Sequence, residues 1–227
     1  MIVCGLLQYR QDTHPLKCAR AAQKQLETVI FENSENEAQE DAIAQMKLIN
    51  PDFRTFLAFE SGLIRLPVVQ GTDNHWYLDH LFDGTEGVIG TLFFDVQCEM
   101  DDPVRIIYGH SVFSEPTMMF TPLHQLCSQS FFEQNRIFTL DDGETAETYE
   151  IISVFINDEA LPDALDTRIR CFADDDARRA FLHDAQMRSL VHSLMHEETE
   201  GRIIILQTCM DAQAEQRLCA VALEKKG

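Results

Sequence analysis

The chain has 227 residues, of which 45% are hydrophobic and 25% are charged, a composition typical of one globular domain with a full core. Its 38 acidic residues outnumber the 18 basic ones, so the formal net charge is −20. Because such a surface repels phosphate groups, we expect no nucleic acid as a partner. The seven cysteines form no close-spaced pairs, which predicts mostly buried thiols and, taken alone, favours a reducing compartment.

The N-terminal part is predicted to contain a short apolar segment and two helices. Residues 1–9 are apolar but far shorter than the ~20 residues of a membrane-spanning helix, so they are either the end of an anchor whose start is missing or a short buried segment. Helical spacing of apolar residues predicts a first helix from Pro15 to Phe31. Capping-box spacing at Ser34 predicts a second helix that ends at Leu48.

From residue 55 onward the pattern changes to short apolar runs separated by turns rich in Gly, Asp and Pro. Eight runs are predicted to be strands: Phe56–Phe59, Leu66–Val69, Val88–Phe94, Val104–Tyr108, Arg136–Leu140, Thr148–Phe155, Arg202–Cys209 and Leu218–Leu223. Two helical excursions interrupt them, at Thr117–Phe132 and, as a longer helix, at Asp174–Glu197. This order predicts a mainly β fold, either a closed barrel or a sandwich, in a domain of residues 34–227 that follows an N-terminal segment of residues 1–33.

Three strand ends carry residues suited to nucleophilic catalysis. Cys209 ends the buried run that begins at Arg202, and Arg217 opens the next run. His110 stands at the end of the strand Val104–Tyr108, after Gly109. A catalytic cysteine needs a proton carrier and a group that stabilises an oxyanion, which a histidine and an arginine supply. A lone cysteine or histidine is more often structural, so the hypothesis depends on all three positions.

Five sequence blocks form a pattern over most of the chain: Leu66-Pro-Val-Val-Gln-Gly-Thr-Asp-Asn74, Trp76-Tyr-Leu-Asp-His80, Gly90-Thr-Leu-Phe-Phe-Asp95, Ile106-Ile-Tyr-Gly-His110 and Leu206-Gln-Thr-Cys209. Together these blocks resemble the sortases, and class B sortases most closely. The resemblance runs in register from about residue 50 to residue 223. It implies an eight-stranded sortase barrel with two N-terminal helices and a long helix before the cysteine strand.

The resemblance also implies a cysteine transpeptidase and assigns roles to residues. His110 matches the catalytic histidine, Cys209 the nucleophile and Arg217 the arginine that orients substrate and stabilises the oxyanion. Substrate-binding roles are predicted for four further residues: Tyr108, Gln207, Thr208 and Asp79. Gln207 stands where the family often has a small polar residue, and Asp79 where asparagine is usual.

The implied partners are the sorting-signal peptide of a secreted surface protein and an acceptor amine of a peptidoglycan precursor or a pilin. The implied location is the extracellular face of the cell membrane, reached through an N-terminal anchor that is truncated or absent here. No cofactor or metal is expected, since His192 and His196, four residues apart in a predicted helix, have no evident third ligand. A cysteine peptidase that only hydrolyses and a non-catalytic peptide-binding module remain the alternatives.

Overall fold

The computed structural model describes Leu16, Arg20, Ala21 and residues 36–193, 200–209 and 216–225. Eight strands close into a barrel in the order β1-β2-β3-β4-β7-β8-β6-β5, which confirms the predicted mainly β fold and selects the barrel over the sandwich. The strands are β1 (Phe53–Phe59), β2 (Arg65–Val69), β3 (Leu92–Phe94), β4 (Val104–Tyr108), β5 (Ile137–Asp141), β6 (Ala146–Asp158), β7 (Ile203–Cys209) and β8 (Gln216–Glu224).

The strand directions bring two strand ends to one rim. Strands β2 and β3 are parallel, as are β4 and β7, whereas the other neighbours around the barrel pair in antiparallel fashion. The carboxyl ends of β4 and β7 therefore lie side by side. Strand β8 runs back along β7 and begins at the same rim.

Strand β7 is buried on both faces, as its continuous aliphatic run predicts. Ile204 and Leu206 contribute to the main core cluster of the barrel, which also contains Phe94 and Phe138. Ile203 and its neighbours on the same face belong to a second cluster, which includes Phe181, Leu182 and Ala185 from the helix before β7. This double packing fixes the position at which β7 ends.

Within residues 36–193, 200–209 and 216–225 the α-helices are α1 (Asn36–Ile49), α2 (Gln129–Asn135) and α3 (Asp175–Met187). The predicted second N-terminal helix corresponds to α1. The predicted first helix lies mostly outside the described residues, as do residues 1–9. Among the residues that the structure describes, no helix combines the length and apolar character needed to cross a bilayer.

The prediction of one long helix over Asp174–Glu197 was wrong in its length. Asp174 caps the N-terminus of α3 by accepting a hydrogen bond from the Ala177 amide, but the helix ends at Met187. Strand β6 has 13 residues and pairs with β5 only up to Glu150, so its later edge is open to another segment. The Leu190 amide donates to the Val154 carbonyl (2.8 Å), and this contact with β6 replaces a further helical turn.

Two further differences from the prediction concern the extent of β3 and the kind of helix found within Thr117–Phe132. The strand expected over Val88–Phe94 is limited to β3, because Gly90 adopts a positive φ of 61° and packs against the Tyr77 carbonyl, where a side chain would not fit. The excursion predicted for Thr117–Phe132 is a 3-10 helix, Thr121–Cys127, followed by α2.

Candidate active site

The parallel pair β4–β7 sets the relative position of the predicted histidine and cysteine. Tyr108 and Gln207 are register partners, and the Gly109 amide donates to the Gln207 carbonyl (3.2 Å). His110 and Cys209 each follow that pair by two residues. The backbone therefore brings them to the same rim, with His110 just beyond the end of β4 and Cys209 at the end of β7.

The side chain of His110 is oriented by a backbone carbonyl. Its Nε2 lies 2.8 Å from the carbonyl oxygen of Leu78, and its own carbonyl accepts a hydrogen bond from the Phe120 amide (3.0 Å). Because a carbonyl oxygen only accepts, Nε2 carries the hydrogen and Nδ1 is the nitrogen of the neutral ring that can take up a proton. His110 is partly exposed, so the ring is accessible from the rim.

Gly109 allows the chain to reach this position. A Cβ at residue 109 would overlap Leu92 Cδ2 and would lie 2.7 Å from Phe120 Cδ2. Any side chain would push against the barrel core.

Arg217 and Cys209 are register partners in the antiparallel pair β7–β8. Such partners have Cα atoms about 4.5–5.5 Å apart. Arg217 is partly exposed and its Nη1 donates to the Gln216 carbonyl (3.3 Å). Residues 210–215, which join the two strands, lie outside the described part of the chain, as does the side chain of Cys209.

Tyr108 lies at the same rim as a protonated hydrogen-bond donor. Its hydroxyl donates to Asp95 Oδ2 (3.0 Å), and Phe93 packs against its ring at 5.4 Å between centroids. Burial, together with the negative charge of Asp95, raises the pKa of Tyr108 well above its ordinary value.

Gln207 is buried, with only 6% of its surface exposed, and its amide is used within the protein. Thr167 Oγ1 donates to Gln207 Oε1 (3.1 Å), and Gln207 Nε2 donates to Glu159 Oε1 (3.3 Å). Both partners belong to the connection between β6 and α3. Gln207 thus ties this connection to the cysteine strand.

Asp79 is exposed and pairs with its neighbour. Its Oδ1 lies 2.7 Å from His80 Nδ1, and the His80 ring stacks on Trp76 at 3.6 Å between centroids. The same short segment provides the Leu78 carbonyl that holds His110. Asp79 therefore lies close in sequence to the histidine anchor, and its carboxylate interacts with His80.

Thr208 contacts a serine and, through it, a histidine, neither of which was a predicted site residue. Its hydroxyl lies 2.9 Å from Ser111 Oγ, which in turn lies 2.7 Å from His124 Nε2. The only feature of the sequence that could have indicated Ser111 is its place next to His110. No sequence pattern indicated His124, which lies in the 3-10 helix.

Among the described residues, no group of three or more His, Cys, Asp or Glu side chains could hold a metal ion. His192 follows the end of α3 and is not on a helix, and His196 lies outside the described residues.

The chain has recognisable relatives of known class, although no protein-family model matches it. It is 28% identical to sortase B of Staphylococcus aureus over 182 residues, which cover 78% of the chain and 72% of that protein. It is 26% identical to sortase B of Listeria monocytogenes over 171 residues, which cover 74% of the chain and 67% of that protein.

Solved structures agree with these relatives. Clostridium perfringens sortase B is 30% identical, with a TM-score of 0.72 over 81% of this chain and 99% of that one. A Staphylococcus aureus sortase B–substrate complex gives a TM-score of 0.77 at 25% identity, over 92% of this chain and 97% of that one. The chain therefore belongs to the sortase family and is most similar to its class B members.

Proposed function

We propose that this sortase is a cysteine transpeptidase of class B type. It cleaves the C-terminal sorting signal of a surface protein after a threonine and joins the new carboxyl end to an amine. The observation that supports the proposal is the strand register: Cys209 pairs with Arg217, and the end of β4, two residues before His110, lies beside the end of β7.

In the first half-reaction the Cys209 thiolate attacks the carbonyl carbon of the scissile peptide bond. The Arg217 guanidinium stabilises the oxyanion that forms. Protonated His110 gives its proton to the leaving amine, and the C–N bond breaks to leave a thioacyl enzyme. The Leu78 carbonyl keeps the ring in position in both protonation states, because Nε2 carries a hydrogen in each.

In the second half-reaction an amine attacks the thioester carbonyl and gives a proton to His110, and the Cys209 thiolate leaves. The proposed acceptor is an amine of a peptidoglycan precursor or a pilin lysine. This reaction places the protein at the cell-wall surface, where sortases act. The negative charge of the chain suits a cationic acceptor.

The peptide is proposed to bind along the rim formed by four residues near the strand ends, namely Tyr108, Gln207, Thr208 and Asp79. Tyr108 offers an aromatic ring and a protonated hydroxyl at the end of β4, two residues before His110. Gln207 and Thr208 are buried, so both act on the peptide indirectly: Gln207 through the β6–α3 connection that it holds, and Thr208 through the position of the end of β7. The substrate complex solved for the Staphylococcus aureus relative supports a sorting peptide as the partner.

Three other cysteines are poor competitors for the nucleophile role. Burial raises the pKa of Cys98 to about 11 and also raises those of Cys127 and Cys219, so these thiols stay protonated at neutral pH. Cys171 is free and exposed, on the connection before α3. It is therefore the appropriate control for Cys209.

The test is incubation with quenched sorting peptides of the L-P-x-T-G and N-P-x-T-x types, with and without an amine acceptor. We expect cleavage of at least one peptide and an amide product when the amine is present. Cys209→Ala should abolish turnover, whereas Cys171→Ala should not.

Other outcomes would identify the alternatives. Cleavage with no amide product at any amine concentration would indicate a hydrolytic peptidase. Peptide binding without turnover would indicate a binding module. Turnover that persists in Cys209→Ala would remove the proposed nucleophile.

A further inference from the structure

Two hydroxyl groups connect the neighbours of the proposed catalytic residues. Ser111 directly follows His110, and Thr208 directly precedes Cys209. Ser111 Oγ and Thr208 Oγ1 are 2.9 Å apart, a hydrogen bond between residues 97 positions apart in the sequence. The bond therefore joins the segments on which the base and the nucleophile lie.

This bond continues the connection between β4 and β7 beyond their backbone ladder. Among the described residues, the ladder ends at the hydrogen bond from the Gly109 amide to the Gln207 carbonyl. The Ser111–Thr208 bond lies one residue further along β7. It is thus placed to hold the two strand ends together at the point where the chemistry is proposed.

The backbone of Ser111 is itself held in place. Ser111 forms an isolated β-bridge with Met119, and the residues on either side of it are bonded to the same segment. The Phe120 amide donates to the His110 carbonyl (3.0 Å), and the Val112 amide donates to Thr121 Oγ1 (2.7 Å). The Ser111 hydroxyl therefore starts from a defined position.

Burial favours a single geometry for the hydrogen bond between Ser111 and Thr208. Thr208 is only 2% exposed, and a buried hydroxyl that loses its partner is costly. His124 Nε2, 2.7 Å from Ser111 Oγ, anchors the other side of the serine, and its ring packs near Phe113 at 5.3 Å between centroids. Whichever way the protons are arranged, Ser111 Oγ is the atom shared by both bonds.

We propose that Ser111 is a positioning residue for the sortase reaction: through Thr208, with His124 as its second anchor, it sets the separation between the imidazole of His110 and the thiol of Cys209. The inference rests on the proposed function. Ser111 takes no part in bond making and acts through the geometry of two other residues.

The test compares Ser111→Ala, Thr208→Val, the double variant and Thr208→Ser. Thr208→Val keeps the side-chain shape and removes the hydroxyl, which covers the case in which Ser111→Ala does not fold. We expect kcat to fall by about 10- to 100-fold in each hydroxyl deletion, with KM changed by less than about threefold, since a small misplacement of reacting groups costs that much. The double variant should lose no more than the worse single variant, and Thr208→Ser should recover most of the activity.

The matched control is Ser153→Ala, which removes a buried hydroxyl from β6 that donates to the Ala185 carbonyl (2.5 Å), away from the rim. It should lower the melting temperature as much as Ser111→Ala does and leave kcat within twofold of wild type. A normal kcat in Ser111→Ala, additive losses in the double variant, or a Thr208→Ser variant as slow as Thr208→Val would each overturn the inference.

A second measurement separates this inference from the proposed function. The pH dependence of Cys209 alkylation, followed by mass spectrometry of the cysteine peptides, needs no substrate. Ser111→Ala should shift that profile, and Ser153→Ala should not. If wild type turns over no peptide, the proposed function fails, while an unshifted profile would overturn the positioning role by itself.

Discussion

Cys209 and Arg217 are direct partners across the antiparallel pair β7–β8, so the residue that ends one strand lies opposite the second residue of the next. This pairing follows from a register shared by seven residue pairs, from Ile203 with Leu223 to Cys209 with Arg217. Strand β8 is buried on both faces, with Ala220 and Ala222 in the main core cluster and Val221 and Leu223 in the second cluster. A slip by one residue would exchange these small and large side chains between the two clusters, so core packing fixes the register.

Replacing Arg217 should impair catalysis more than stability. We expect Arg217→Ala to lower kcat/KM by about 100-fold or more, because an oxyanion donor is lost. Arg217→Lys should recover only part of the loss, since a lysine lacks the planar fork of donors. Arg179→Ala, which removes an exposed arginine of α3, is the control for charge. Near-normal turnover in Arg217→Ala, measured with the cleaved sorting peptide, would contradict the oxyanion role.

Replacing Gln207 by glutamate should destabilise the protein in a pH-dependent way. The new carboxylate would face Glu159, 3.3 Å away in the present structure, and would no longer donate to it. We expect a loss of about 1–3 kcal/mol in the free energy of unfolding at pH 8, where both groups are charged, and a smaller loss at pH 5. KM for the peptide should rise as the β6–α3 connection loosens.

Gln216→Glu is the control for that substitution. Gln216 Nε2 donates to Asp158 Oδ2 (3.1 Å), so the change creates a similar pair of carboxylates, but at an exposed position. Water screens the repulsion between these two carboxylates. We therefore expect Gln216→Glu to lower the free energy of unfolding by less than about 1 kcal/mol at both pH 5 and pH 8. Urea unfolding measures both variants, and equal losses would show that burial of Gln207 is irrelevant.

Adding one methyl group at Gly109 should disturb the histidine. The new Cβ would overlap Leu92 and crowd Phe120, which costs about 1–3 kcal/mol of stability and shifts the segment that carries His110. Gly71→Ala is the control, because its Cβ would meet the ring of Tyr77 at the milder distance of 3.2 Å. The melting temperature and the rate of peptide cleavage should both fall further for Gly109→Ala than for Gly71→Ala. A Gly109→Ala variant with the stability and activity of wild type would show that the strand can move freely.

The last prediction concerns the pH dependence of stability at the end of the barrel opposite the proposed active site, where Glu224 meets Arg202. Burial favours the neutral form of Glu224, but hydrogen bonds from the Arg202 amide (2.9 Å) and guanidinium outweigh it, so the pKa of Glu224 lies below its ordinary value. A lowered pKa means that the stabilisation is complete above the pKa of the unfolded chain, about 4.3, and is lost as the pH falls through the lower folded value.

Glu224→Gln should accordingly be about 1 kcal/mol less stable than wild type at pH 7 and at pH 6. The difference should shrink only below about pH 4.3. Glu144→Gln, in the exposed turn between β5 and β6, is the control, and we expect its free energy of unfolding to stay within about 0.5 kcal/mol of wild type. Urea unfolding from pH 3.5 to pH 7 provides the measurement. A difference that grows as the pH falls would reverse the expected sign and refute the explanation.

The sequence by itself determined where the strands run and which strand ends carry a histidine or a cysteine. Runs such as Ile203–Leu206 are apolar on both faces and can satisfy their backbone only in a buried sheet, so their nature is local information. The positions of His110 and Cys209 at strand ends were likewise visible from the loop-like segments that follow them. These features require no knowledge of what packs against them.

Only the tertiary structure decided which residues meet. The end of α3 depended on the open edge of β6, where the Leu190 amide finds the Val154 carbonyl. Gln207 proved to be buried against Thr167, 40 residues away, and Ser111 bonds to Thr208 across 97 residues. Such contacts depend on how distant strands are brought into register, and no local periodicity encodes a partner that lies on another side of the barrel.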